Sequence, residues 1–371
     1  MAEEREAPKE IKFADLVVDL SFHPQKDVLA AGLIDGEVKI CSYSTTEENH
    51  ELMTFTHHKK ACRCVKFSPS GDQLITTSKD KSLHVIDTST GAVVRSVQKA
   101  HDSPPYSMLV IDENQVATGD DDGTIKLWDR RQDKAIMELK ECEEFISDMV
   151  IDDQRKILVA SSGEGTLTAF HIKKKKMELQ SELFESEMLS LAVVKGGSKL
   201  LCGDGEGVLN FFNWGQWGNI SDRFPGHPMS IDCMVAISDD IVCTGSMDGI
   251  VRAVHILPNR FLGSVGQHDE FPVENLSLSR DGTFLASCSH DQKIKFWNIT
   301  DVKDEKVDIS KKAKKSNKPK TLNKAAQKND FFADLAEPSS SSAAPSAGTE
   351  DSGVEDSDLD DDEDDDDDDD E

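Results

Sequence analysis

An acidic residue recurs along this chain at nearly constant intervals, and that period limits the fold more than any other feature. It falls at Asp35, Asp80, Asp122, Glu164, Glu206, Asp248 and Asp291, with spacings of 45, 42, 42, 42, 42 and 43 residues. Each copy has the same local grammar: a short run of apolar and small residues, the acid, usually a glycine, then an alternating run. In the third copy Val116 to Gly119 reads as a strand and Asp120 to Thr124 as a tight turn. Thr124 to Asp129 reads as the next strand, with Ile125 and Leu127 on one face. Upstream of most turns lies a further strand, such as Cys62 to Phe67, and downstream a fourth, such as Ala92 to Val97. Four short strands per period of about 42 residues make one propeller blade. Seven blades fit between Ala14 and Ile299, and the class is all-β. A ring must close, and Glu10-Ile11-Lys12-Phe13 is the candidate closing strand, because no fourth strand is evident after Asn298.

Composition separates this ring from the C-terminal segment. The chain of 371 residues has 42 basic and 71 acidic side chains, a net charge of −29, and only 37% hydrophobic residues. That content is low for a globular chain, which carries about 45–50%. The deficit lies at the C-terminal end. Removing −17 for residues 350–371, +7 for 303–328 and −3 for 329–349 leaves −16 for residues 1–302. An acidic body argues against a nucleic-acid binder that works through a generally basic surface. No apolar run has the length of a membrane span. Met1 to Glu10 is charged and lacks the apolar centre of a signal peptide. The eight cysteines are scattered, and Cys62 and Cys64 lack the two-residue gap of a zinc or redox pair, so buried reduced thiols are expected. No cofactor, metal site or catalytic residue is expected. Gly163-Glu164-Gly165 and the glycine-rich run Gly203 to Gly207 are blade turns without the strand-to-helix setting of a phosphate loop.

On these residues the chain resembles the WD-repeat family. The resemblance implies a hydrogen-bonded set within a blade: a histidine ahead of it, Ser or Thr in the second strand, Asp in the turn, Trp in the third strand. His101, Thr118, Asp122 and Trp128 fit that pattern, as do His268, Ser287, Asp291 and Trp297. Elsewhere the tryptophan position holds Cys41, Ile86, Phe170, Phe212 and Val254, so those blades are expected to rely more on packing. A trio that recurs from blade to blade is architecture, whereas a hydrolytic triad would occur once.

The domain reading is a flexible terminus over 1–9, a seven-bladed ring over 10–302, a lysine-rich linker over 303–328, an apolar motif with a Ser/Pro/Ala-rich linker over 329–349, and an acidic tail over 350–371. The cluster Lys311, Lys312, Lys314, Lys315, Lys318 and Lys320 has the charge density that an importin groove reads. Lysines also give sequence-independent affinity for RNA phosphates, so direct RNA contact through this stretch is left open; no aromatic residues are interleaved for base stacking. Phe331, Phe332 and Leu335 form a lone apolar island that would share a face in one helical turn, either docking on the ring or read by a partner. Residues 350–371 read as a solvated polyanion that does not fold by itself. Ser352 and Ser357 each have an acid three residues on, Glu355 and Asp360, the pattern of acidophilic kinase sites. Trp214 and Trp217 are a loop pair that either anchors an interface or tucks a ring under the loop.

Runs outside the repeat consensus narrow the resemblance. They are His57 to Arg63, Ser221-Asp222-Arg223-Phe224, Ser230 to Met234, Ile256 to Arg260, Gly263 to His268 and Phe331 to Leu335. Together they resemble a nucleolar WD-repeat family implicated in ribosomal RNA production and processing. That resemblance implies a non-enzymatic scaffold in ribosome biogenesis, in the nucleus and nucleolus with some in the cytoplasm. Its implied partners are pre-ribosomal or nucleolar proteins, with the chain a monomer inside larger complexes and no membrane association. A second resemblance is kept beside it. Trp128-Asp129-Arg130-Arg131 is similar to the motif by which some WD-repeat proteins dock on the adaptor of cullin-4 ubiquitin ligases. Trp128, Asp129 and Arg131 would then make a substrate receptor, with Arg131 projecting from the blade end.

Overall fold

The computed structural model describes residues 6–305, apart from residue 133. Within that span seven four-stranded antiparallel sheets follow one another along the chain. Six of them are consecutive up-and-down blades spanning 17–55, 62–97, 105–140, 146–180, 188–225 and 231–267. The seventh has three strands of its own, Val273–Leu278, Phe284–Ser289 and Lys293–Asn298, and takes its fourth from the N-terminus. Ile11–Lys12 pairs with it in the register Ile11 to Ile294 and Lys12 to Lys293, and Phe13 N–H donates to the Gln292 carbonyl at 2.9 Å. After Asn298 the chain forms the short helix Thr300–Lys303, which buries Val302 in the core between the last two blades. The ring is therefore closed by the expected strand.

The grammar of each blade explains its burial. The second strands are small and apolar and are buried almost throughout, as in Gln115–Asp120. The fourth strands alternate exposed and half-buried residues, as outer edges do, seen in Val93–Val97. Core clusters lie at the contacts between successive blades; one joins Cys62, Val65 and Phe67 to Ala30, Val38 and Ile40 of the blade before. Blades approach so closely that a Cβ on Gly119 would lie 2.4 Å from the Ile146 Cβ of the next blade. Cys41, Ile86, Phe170, Phe212 and Val254 are all buried in these cores. All eight cysteines are buried and unpaired. No helix among the described residues is long and apolar enough to cross a membrane.

First strands pack against the first strands of both neighbours, from the last blade back to the first, so they surround the axis. Each carries a bulge at the same place, between Val17/Asp19, Cys62/Cys64, Pro105/Ser107, Ile146/Asp148, Met188/Ser190, Ile231/Cys233 and Val273/Asn275. A bulge leaves one residue without a ladder partner and re-aims its neighbours. Here its consequence is a belt of bonds from blade to blade. Asp19 accepts from Val65 N–H at 2.7 Å. Cys64 donates to the Tyr106 carbonyl at 3.2 Å, and Ser107 to the Ile146 carbonyl at 2.7 Å. Asp148 accepts from Leu191 N–H at 2.8 Å, and Ser190 donates to the Ile231 carbonyl at 2.8 Å. Cys233 donates to the Val273 carbonyl at 3.5 Å, and the Asn275 amide donates to Asp19, which completes the circuit.

Candidate functional site

Three groups of side chains bear on function: the histidine sets within the blades, the end of the third blade, and the channel on the axis.

In the third blade the Trp128 indole N–H donates to the Thr118 hydroxyl at 2.7 Å. His101 Nε2 lies 2.6 Å from the same hydroxyl, and its Nδ1 lies 2.8 Å from a carboxylate. That carboxylate belongs to Asp120, not to Asp122 as the sequence pattern suggested. The reason is geometric. Asp120 ends the second strand two residues beyond Thr118, so both side chains face His101, while Asp122 sits at the tip of the turn and is exposed. Asp120 also organises the turn by accepting from Asp122 N–H at 3.1 Å and Thr124 N–H at 2.8 Å. Burial pushes its carboxyl up, but the bonds from His101 and from these backbone groups outweigh that and hold it below its ordinary value.

The seventh blade places the acid in the turn itself. His268 Nδ1 is 2.8 Å from Asp291, its Nε2 is 2.7 Å from the Ser287 hydroxyl, and Trp297 Nε1 donates to that hydroxyl at 2.8 Å. Other blades vary the theme. In the sixth, His227 bonds Thr244 at 2.9 Å, while Asp248 turns to Arg252 at 3.0 Å. In the second, His58 bonds Thr76 and Ser82, both at 2.9 Å, and Ser82 in turn bonds Asp80 at 2.5 Å. His57 and His84 crowd against His58 there, with ring centres 4.3 and 4.8 Å away. Burial, then the neighbouring imidazoles, pushes His58 down to about 3 and His57 to about 4. Burial also lowers His84, whose two ring nitrogens find no hydrogen-bond partner. Nothing in the sequence period marked this trio, because His57 and His84 lie outside the repeat pattern. No group of His, Cys, Asp or Glu among the described residues is arranged to hold a metal ion.

At the end of the third blade, Arg131 is largely exposed, and its guanidinium closes on Asp129 with Nε–Oδ1 at 2.8 Å and Nη2–Oδ2 at 2.7 Å. The bonds from Arg131 hold the Asp129 carboxyl down to about 2. Trp128 is buried and committed to Thr118. Of that motif, Arg131 is thus the side chain that reaches solvent, tethered by its own aspartate. Trp214 and Trp217 meet edge to face at 5.7 Å, with Trp217 buried against the fifth blade's core, so the second ring is tucked under the loop. The residues Lys311, Lys312, Lys314, Lys315, Lys318, Lys320, Phe331, Phe332, Leu335, Ser352 and Ser357 lie outside the described residues.

The channel was not anticipated from sequence. It has a volume of about 520 Å³. Residues at the bulges line it: Val18, Arg63, Tyr106, Ser147, Leu189, Asp232 and Glu274. Deeper in it are Asp19, Lys66 and Asp148, with Met247 and His290 contributed by turns. Lys66 Nζ is 2.9 Å from Asp19, and His290 Nε2 is 2.7 Å from Glu274. Arg63 bonds Asp121 at 2.5 Å and lies over the Tyr106 ring. Burial pushes the Asp148 carboxyl up to about 6 despite its backbone bonds. Burial likewise raises Asp232 and Glu274, and the negative charge of Asp232 raises Glu274 further.

A closed ring of seven four-stranded blades, with histidine–hydroxyl–tryptophan sets inside them, defines a WD-repeat β-propeller. Comparison with known proteins narrows this. The family model WDR55 matches residues 8–302. "WD repeat-containing protein 55" of Bos taurus is 46% identical over 336 residues, covering 90% of this chain and 88% of the relative. Its Homo sapiens counterpart is 46% identical over 343 residues, covering 92% and 90%. "WD repeat-containing protein 55 homolog" of Drosophila willistoni is 41% identical over 339 residues, covering 90% of this chain and 66% of the relative. The chain belongs to the WDR55 family, the family of WD repeat-containing protein 55.

Proposed function

We propose that this chain is a non-enzymatic scaffold of the nucleus and nucleolus that acts in ribosomal RNA production and processing, and so in ribosome biogenesis. Membership of the family, through the match over residues 8–302, carries the scaffold reading. The nucleolar role rests on the resemblance of the sequence, with a lysine cluster suited to import and an acidic tail suited to basic clients in keeping with it. In this reading rigid faces of the propeller hold folded proteins, while the lysine-rich stretch adds affinity for RNA phosphates. A second reading, a substrate receptor of a cullin-4 ubiquitin ligase, keeps one specific support: Arg131 is exposed at the end of the third blade, where an adaptor could reach it.

Affinity purification of the tagged full chain from nuclei tests both, beside Arg131→Ala and a chain ending after Glu305. That end point retains the helix whose Val302 is part of the core. The expected result is recovery of pre-ribosomal proteins and precursor RNA, unaffected by Arg131→Ala. Recovery instead of the cullin-4 adaptor, lost in Arg131→Ala, would replace the first reading with the second.

A further inference from the structure

We propose that the mouth of the axial channel on the face bearing Asp232 and Glu274 is a docking site for a basic peptide segment of a partner protein, which inserts one arginine or lysine side chain between apolar neighbours.

The channel has room for such a side chain, at about 520 Å³. Its charge is unbalanced in one direction. Four carboxylates line it, those of Asp19, Asp148, Asp232 and Glu274. The cations facing them are already committed: Lys66 to Asp19, Arg63 to Asp121, and His290 to Glu274. Asp148 and Asp232 have no direct ion-pair partner among the described residues, and burial raises both. A buried carboxylate that lacks a counter-charge favours an arriving cation, because the ion pair forms where water screens it least. The rim is suited to the rest of a peptide. Tyr106 and Met247 line the opening and are exposed, Pro272 lines it, and Phe271 beside Pro272 is exposed too. Large apolar side chains left in solvent around a concave opening are anchors in search of cover. An acidic throat with an apolar rim selects a cationic side chain flanked by aliphatic ones, and disfavours acidic or phosphate-bearing ligands.

The lysine-rich stretch of the same chain has the right charge but the wrong starting point. The described chain leaves the ring through Thr300–Lys303, packed on Ile237 and Ile299, whereas the mouth is built by the turns carrying Met247 and His290 at the other ends of those blades. A partner in trans is therefore the occupant inferred. The inference rests on the scaffold reading of the propeller but not on any ribosomal identity of the partner.

Fluorescence anisotropy with the purified full-length chain tests it. The probes are nine-residue labelled peptides with a central arginine or lysine between two leucines, and matched peptides with a central glutamine. The expected result is saturable binding of the cationic peptides, at least about tenfold weaker for Asp232→Asn/Glu274→Gln, the loss of about one charge-assisted contact. The glutamine peptides should bind at least as weakly to the unaltered chain, and Glu48→Gln/Asp153→Asn, exposed acids elsewhere, should leave affinity unchanged. Equal binding of glutamine and arginine peptides, or unaltered binding by Asp232→Asn/Glu274→Gln, would overturn the proposal. So would weak binding that becomes strong only when Lys311, Lys312, Lys314, Lys315, Lys318 and Lys320 are all changed to glutamine, since the chain's own segment would then be the occupant. Cationic peptides that bind while nuclear purification recovers no pre-ribosomal protein would leave this site standing and remove the ribosomal reading alone.

Discussion

Asp19 is the most heavily used member of the belt around the axis, and its removal has a magnitude that can be worked out. Its carboxylate is buried and accepts from the N–H groups of Leu20 and Val65, from Lys66, and from the Asn275 amide. Asp19→Ala leaves the Val65 N–H without its partner in a buried strand, at about 1–3 kcal/mol. It also strips the counter-charge from Lys66. That side chain is 30% exposed, so water replaces part of the loss, and about 1 kcal/mol is the discounted contribution. The sum is about 3 kcal/mol, or about 6 °C of melting temperature at the roughly 2 °C per kcal/mol expected for a large domain. Ser107→Ala, at the same position of the third blade, removes one neutral bond to the Ile146 carbonyl and should lower melting by about 2 °C. Asp19→Asn keeps the shape and one acceptor and should fall between them. Scanning calorimetry of the three variants at neutral pH gives the order directly. The belt would be the wrong account if Asp19→Ala melted no lower than Ser107→Ala. It would also fail if Asp19→Ala and Asn275→Ala were strictly additive, because partners in one bond should couple by at least about 0.5 kcal/mol.

Deleting residues 1–13 removes the closing strand and should lower melting of the whole ring and broaden the transition; an unchanged calorimetric trace would show that Ile11–Lys12 contributes nothing to closure. The buried trio His57, His58 and His84 should make the protein acid-sensitive. Their folded pKa values lie below the unfolded value of 6.5, so the unfolded chain binds the extra protons, and stability is lost as pH falls from about 6.5 toward about 4. Urea titrations from pH 7 to 4.5 should show that loss, with a shallower fall in His84→Leu, and His84→Leu should not be destabilised at pH 7 because both its ring nitrogens are unpaired. Asp120→Ala should lose about 2 kcal/mol while Asp122→Ala stays within about 0.5 kcal/mol of the parent, and the reverse order in denaturant melts would restore the turn residue to the histidine set.

How far the sequence could be read depended on whether a feature was repeated or made only once. The blade period is written in turn residues, and Cys62–Phe67 and Thr124–Asp129 come out with the boundaries that alternation suggests. Closure was legible too, because Ile11 and Phe13 flank a lysine in a strand pattern and the last blade lacks a fourth strand. The histidine set of the third blade was misassigned by two residues. Three consecutive aspartates, Asp120 to Asp122, offer the same chemistry, and only the direction of the strand end decides which one faces His101. The belt was not legible at all. Its seven positions hold Asp, Cys, Ser, Asp, Ser, Cys and Asn, which share no side-chain type and acquire a common role only through the bulge beneath them. For the same reason the channel, built from the residues those bulges re-aim, leaves no spacing signal.

The pairing of Ile11 with Ile294 also sets when this protein can fold. Six blades can form hairpins as they are made, but the seventh has no outer strand until its last inner strand is synthesised and meets the first residues of the chain. Until then Lys293–Asn298 has an unpaired edge, and the Asn275–Asp19 bond that joins the two ends of the belt is open. A chain interrupted before Asn298 is thus an open crescent, with two inter-blade surfaces exposed at its tips and free to join those of another crescent. Ring formation belongs to the finished polypeptide, and quality control of this protein is a question about its two ends rather than about any single blade.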